Sequence, residues 1–372
     1  MNDLIPFGSW SVLTADFLIL LHLTIGGVTF SAILHLASAK WRYHVRSIAV
    51  SLFALYPLVL GLLVVLLLAR HQVFPWMGTK PMVGIAPLHT WMGAESPEAL
   101  PLNGWHNPVF LAAREILGLL VVGWLYRRFI RLQEVSERSE ADWDRFKATA
   151  NWIPVAHVLY GTMIGWDFEM TMLPSWESSI YGMYHFVSNF GMFLATMAVL
   201  CYKLGRAKVL ARPLPDYVLN YFAQMMLAFT ILWTYTWFAQ YLTYWYGNIP
   251  EERNRLDYMA NGDYSWLWWS FFCLKFLIPF CFLVFTYFRH SPVSIYRIAV
   301  LIILGTWLER FTWIAGSVGV DAFTTVHMPF TGAFDVVVTV VLAAAAWFLV
   351  RRSMVQSGVL RTGLGSTSLH AA

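Results

Sequence analysis

Charge is scarce in this chain of 372 residues. Asp, Glu, Lys and Arg together make up 12% of it, about half the usual share in a soluble globular protein. Cysteine is scarcer: Cys201, Cys273 and Cys281 all fall in apolar runs and none is part of a Cys-x-x-Cys pair. A disulfide framework, or iron–sulfur ligation by this chain, is therefore not expected. No stretch rich in Gly, Ser or Pro divides the sequence, and no internal repeat stands out. The first residues carry neither a basic n-region nor a small-residue cleavage site, so the first apolar run reads as a retained span and not as a signal peptide. What is abundant is apolar surface. Hydrophobic residues reach 58%, with 27 Phe, 19 Trp and 17 Tyr, more than one soluble core can hide. Disordered, disulfide-rich secreted and nucleic-acid-binding classes are excluded, and the net charge of +4 says little about anionic partners. The expected fold is an all-α polytopic membrane protein.

A helix needs about 20 predominantly apolar residues to cross the hydrocarbon. Nine stretches meet that requirement, at roughly 13–37, 48–69, 108–130, 151–171, 179–203, 218–246, 265–288, 294–314 and 329–350. They form one integral membrane domain, followed by a tail over 351–372. Basic residues alternate between the connections: 18 fall on one side, in clusters such as Lys40/Arg42/Arg46 and Arg127/Arg128/Arg131, and 4 on the other. That bias puts the N-terminus outside and the C-terminus in the cytoplasm. The predicted outer ends are crowded with aromatics, among them Trp76, Trp91, Trp105, Trp176, Trp245, Tyr246, Trp266, Trp268 and Trp269, and interfacial anchoring is the expected reason.

Ionisable residues inside spans are costly and become functional candidates by default. Here they are Asp16, His22, His35, Arg114, Glu115, His157, Asp167, Glu169, His185, Lys275, Glu309, Arg310 and Asp335. All but His35 and His157 lie away from the cytoplasmic half. The plain reading is that they pair to tie helices together, Arg114 with a carboxylate and Arg310 with Glu309 or Asp335. The functional reading is a polar cavity that opens outward and handles protons or a polar headgroup. Haem is not expected. His22 and His35 are 13 residues apart on one helix, which leaves them about 140° apart in rotation, on different faces. A metal site has no supporting ligand spacing.

Several stretches together resemble a known family. They are Gly26-Gly27 with Lys40-Trp41-Arg42; Asp167-Phe168-Glu169 leading to Pro174-Ser175-Trp176; Gln240-Tyr241 with Trp245-Tyr246-Gly247-Asn248-Ile249-Pro250-Glu251-Glu252; and Trp307-Leu308-Glu309-Arg310. The chain resembles the polysulfide-reductase (NrfD-type) membrane subunits over about 20–315. It is most similar to the two related membrane subunits of alternative complex III, a bacterial quinol:electron-acceptor oxidoreductase. The resemblance implies two four-helix bundles, about 13–171 and from 179 onward, with one extra helix. It also implies a subunit of the bacterial inner membrane that binds no haem or iron–sulfur cluster of its own. The implied partners are an iron–sulfur subunit, a homologous membrane subunit and haem c-containing subunits.

By position, Asp167 matches the family's acidic residue, and Asn107 and Arg114 match an Asn and an Arg at the start of the third span. Gln240 stands where one subunit has Glu and the other Gln. The sequence departs at Leu173 and Ser175, where one subunit usually has Asp and His, and His22 lies about one turn before the family's His. The expected quinol contacts are His22, Arg114, Asn107 and Asp167. Asp16 and Glu169 would pass protons outward, with His35, His157, Glu309 and Gln240 as further proton-path candidates. The competing readings are a scaffold without a quinone site and a secondary transporter. The transporter is disfavoured by the lack of paired interrupted helices in two corresponding halves.

Overall fold

The computed structural model describes residues 7–77, 104–136, 138–173, 176–248, 250–318 and 328–361. Most of the long connection 70–107, together with Pro174, Ser175, Ile249 and the end of the tail, lies outside the described residues. Every predicted span is helical, and no strand occurs among the described residues beyond an isolated bridge between Leu210 and Leu360. The chain is an all-α polytopic membrane protein.

Helix α1 (Phe7–Leu36) is followed by α2 (Arg42–Ser51) and α3 (Tyr56–Leu68), which a 3-10 turn at Leu52–Leu55 joins into one span. A short α4 (Arg70–Val73) ends that hairpin. The next pair is α5 (Pro108–Val135) and α6 (Glu140–Phe168), and then come α7 (Tyr181–Arg206) and α8 (Tyr217–Gly247). After α9 (Pro250–Asn261), α10 (Ser265–Phe272) runs through a π-turn at Cys273–Leu277 into α11 (Ile278–Leu283). The chain closes with α12 (Thr286–Arg289), α13 (Pro292–Val318) and α14 (Ala333–Gln356).

Seven of these spans are long and apolar enough to cross a membrane by length and hydropathy. The two that fall short, α6 and α8, carry many Trp and Tyr interleaved with Thr, Asn, Gln and His. Trp and Tyr bury well against other helices but rank low in hydropathy.

Local chemistry sets the helix ends. Asn107 caps α5: its Oδ1 accepts from the backbone N–H groups of Val109 (2.9 Å) and Phe110 (3.1 Å), and Pro108 occupies the first turn. Ser139 caps α6 through the N–H of Asp142 (3.1 Å), and acidic Glu140 and Asp142 lie in the positive end of the helix dipole. Helix α8 stops at Asn248, whose φ of 49° is the left-handed conformation that ends a helix.

Packing places α1 at the centre. It touches α2, α3, α6, α7, α13 and α14; α6 in turn packs on α5 and α7, and α7 on α8 and α13. In its most apolar stretch 83% of α1 is buried, against 11% for α14, which lies on the outside against α1 and α2. The close contact of α1 with α2 depends on Gly27, where a Cβ would collide with the carbonyl oxygen of Ala49. No side chain fits there, which explains Gly27 in physical terms.

Candidate functional site

The buried ionisable groups gather toward the end of the bundle opposite the basic connections, and they form linked clusters. The first joins α5 and α6. Arg114 grips Asp167 in a two-pronged pair, with Nε donating to Oδ2 and Nη2 to Oδ1, each at 2.6 Å. Nη1 donates to the carbonyl of Trp105 (2.9 Å), while the Trp105 indole donates to Asp167 Oδ1 (2.7 Å) and its ring lies 4.1 Å from the guanidinium carbon. Planar bidentate pairing of this kind suits Arg and fixes both side chains. Beside this pair sits Glu115, fully buried, whose carboxyl oxygens have no hydrogen-bond partner among the described residues.

The second cluster joins α1, the end of α6, α7 and α13. His22 Nε2 and His185 Nε2 are 2.8 Å apart, and His185 Nδ1 is 2.7 Å from Glu169 Oε2. Glu169 also accepts from Tyr181 (2.7 Å) and from Arg310 (2.5 and 2.6 Å), and all these groups are buried. Arg310 Nη1 also lies 2.9 Å from His185 Nδ1, so the tautomers follow from whether that nitrogen donates to Glu169 or accepts from Arg310. If His185 Nδ1–H donates to Glu169, its Nε2 must accept, so His22 donates from Nε2 and its Nδ1 is the open acceptor. His22 Nδ1 indeed has no partner among the described residues. Room for the His185 ring comes from Gly165 of α6, where a Cβ would stand 2.9 Å from Cγ of that ring.

His157 of α6 lies next to His22, with ring centroids 6.2 Å apart. Its Nδ1 is 2.9 Å from Thr29 Oγ1, which is in turn 2.9 Å from the Tyr126 hydroxyl, while its Nε2 has no partner among the described residues. Three histidines from three spans thus converge, a grouping that no sequence spacing reveals.

The third cluster lies between α7, α8, α13 and the π-turn. Glu309 accepts from the Trp233 indole (2.8 Å), Ser188 (2.5 Å), Tyr184 and Lys275, and pairs with Arg310 at 3.1 Å. A π-turn adds one residue to the helical repeat, and here it brings Lys275 to Glu309.

The other expected site residues sit apart. Asp16 accepts from Trp307 and Thr339, each at 2.7 Å, and so ties α1 to α13 and α14. Gln240 accepts from Ser178 (2.8 Å) and donates to Tyr244. His35 packs edge-on to Phe146 and Trp143, with centroids 4.3 and 4.6 Å away, at the basic end of α1. Asn107 has its side-chain oxygen committed to the α5 cap. Arg310 pairs with Glu169 as well as with the expected Glu309.

Several contributors were not singled out in the sequence. His185, Lys275 and Glu115 were visible only as ionisable residues within spans, and Arg310 only as a pairing partner for Glu309 or Asp335. Trp105, expected as an interfacial anchor, instead holds Asp167; Trp176 and Trp268 are buried with Trp313, whereas Trp245, Tyr246, Trp266 and Trp269 are exposed as expected. Arg255, counted only as an outer charge, is fully buried and donates to the carbonyls of Glu169 (2.6 Å) and Trp313 (3.1 Å). Burial lowers its pKa to about 10, so it stays cationic near neutrality and clamps the turn that presents Glu169. No protein-family model matches the chain, and no curated protein matches it.

Proposed function

We propose that the chain is a membrane subunit of a quinol:acceptor oxidoreductase that accepts the protons released when quinol is oxidised. The observation that supports this most is the hydrogen-bonded line His22–His185–Glu169, which starts at an open imidazole nitrogen. Oxidation of a quinol to the quinone releases two protons and two electrons. In the tautomer with His185 Nδ1–H donating to Glu169, His22 Nδ1 is a buried acceptor for one proton. Uptake there releases the Nε2 proton to His185 Nε2, and His185 passes its Nδ1 proton to Glu169 in the same sense. Glu115, beside Asp167, is a second carboxyl within the same end of the bundle. The electrons leave through iron–sulfur and haem c groups of partner subunits, since this reading assigns no redox centre to the chain. It also follows the family resemblance in placing the protein in a bacterial inner membrane, with the site end outward.

One observation favours a scaffold instead: Arg114–Asp167 and Arg310–Glu169 are closed pairs that hold helices together without any ligand. The test separates the two. The complex is purified through a tag on this chain and assayed with a short-chain quinol. In the proposed role H22N leaves assembly intact and lowers turnover by about 10²-fold or more. Full turnover in an assembled H22N complex would overturn it.

A further inference from the structure

At the basic end of the bundle, α3, α5 and α6 enclose a concave basin of about 810 Å³. Its floor is Tyr56, Leu60 and Trp124, and its rim is Arg127, Arg128, Arg131 and Arg145. All four arginines are exposed, and none forms an ion pair with a carboxylate among the described residues. Two lie over aromatic rings of the basin, Arg127 at 5.5 Å from Tyr56 and Arg128 at 5.8 Å from Trp124. Such stacking holds a guanidinium by its face and leaves its edge donors for another group.

The basin opens directly into a second groove, of about 840 Å³, between α5 and α6. The two share Trp124, Arg128 and Arg145, and the walls of the second are apolar, with Leu117, Val121, Trp152 and Leu159 among them. From Leu117 to Arg128 the groove runs about 17 Å along α5, close to half the hydrocarbon thickness of a bilayer. It is thus as long as one leaflet is deep, with cations only at its outer mouth.

We propose that this composite groove is a binding site for an anionic phospholipid, with the phosphodiester held by Arg128 and Arg145 and an acyl chain lying between α5 and α6. Charge complementarity selects the headgroup: four guanidiniums without an acidic partner match a phosphate through paired N–H donors. A general excess of basic residues at this side of the membrane would need neither a concave basin nor an apolar trough leading from it. The inference does not rest on the proposed oxidoreductase role.

The test uses the full chain, with any subunits that purify with it, in nanodiscs of equal phosphatidylglycerol and phosphatidylcholine, followed by gentle extraction and native mass spectrometry. The expected result is retention of phosphatidylglycerol over phosphatidylcholine by at least about tenfold. R128Q/R145Q should bring that preference close to unity. A148W, which keeps every charge but fills the groove beside Arg145, should lose the retained lipid too, whereas K203Q/R206Q at the basic end of α7 should keep it. Equal retention of both lipids by the unaltered protein would overturn the proposal. So would unchanged selectivity in R128Q/R145Q, or complete displacement by millimolar inorganic phosphate, which would mark a simple anion site.

Discussion

At the scale of single residues, two glycines on one face of α6 make opposite predictions. A methyl group at Gly161 would stand 3.7 Å from His22 Cε1 and 3.7 Å from His157 Cδ2, an ordinary contact that occupies the space between the two rings. A water or a quinol hydroxyl there could satisfy both orphan nitrogens, His22 Nδ1 and His157 Nε2. G161A should therefore keep or raise thermal stability, by up to about 1 kcal/mol from helix propensity, yet lower quinol turnover. Wild-type turnover in a folded G161A complex would show that the gap between the rings has no role. At Gly165 the methyl would press on His185, so G165A should cost about 1–3 kcal/mol in stability and disturb the His22–His185 contact. A thermal melt alongside a turnover assay separates the two behaviours. Asp167 is a third case. D167N leaves Arg114 buried without its counter-charge, at a cost of about 3–5 kcal/mol, and R114Q/D167N should be less damaging than either single change.

Among the secondary-structure elements, the spans were legible because a membrane helix must be a continuous apolar run, and all nine predicted stretches are helical. The pairing of Arg114 with a carboxylate was legible too, since a buried cation needs a partner. The convergence of His22, His157 and His185 was not. Rotation along one helix can be read from sequence, but the depth and rotation of three helices relative to one another depend on close approaches such as Gly27 to Ala49. The π-turn at Cys273–Leu277 was equally hidden, because the extra residue that brings Lys275 to Glu309 leaves no compositional trace. Asn107, matched to a site by resemblance, has its side-chain oxygen used by the helix start. N107A should cost about 1 kcal/mol of stability, read by chemical or thermal unfolding, with little change in the apparent affinity for quinol. A large rise in KM with stability unchanged would restore the quinol-contact role.

For the molecule as a whole, polar groups collect at one end of the bundle and unneutralised arginines at the other, and that polarity carries a pH dependence. His106, in the connection before α5, packs against Trp76, and burial holds its pKa below the ordinary imidazole value. The unfolded chain takes up this proton before the native protein does. Stability is then fully present above about pH 6.5 and declines as pH falls through and below that value. H106Q should flatten that part of the profile when melting temperature is followed from pH 7.5 to 5; an unchanged slope would show that His106 contributes nothing.

Whether this chain holds the quinol whose protons enter the His22–His185–Glu169 line is decided by a cryo-EM map of the complex purified in native lipids with a short-chain quinone added. The expected result is quinone density within hydrogen-bond reach of His22 Nδ1, on the side of α6 that carries Gly161, with a partner's iron–sulfur cluster within electron-transfer distance. Quinone held by another subunit, with this chain's histidines closed upon themselves, would contradict it.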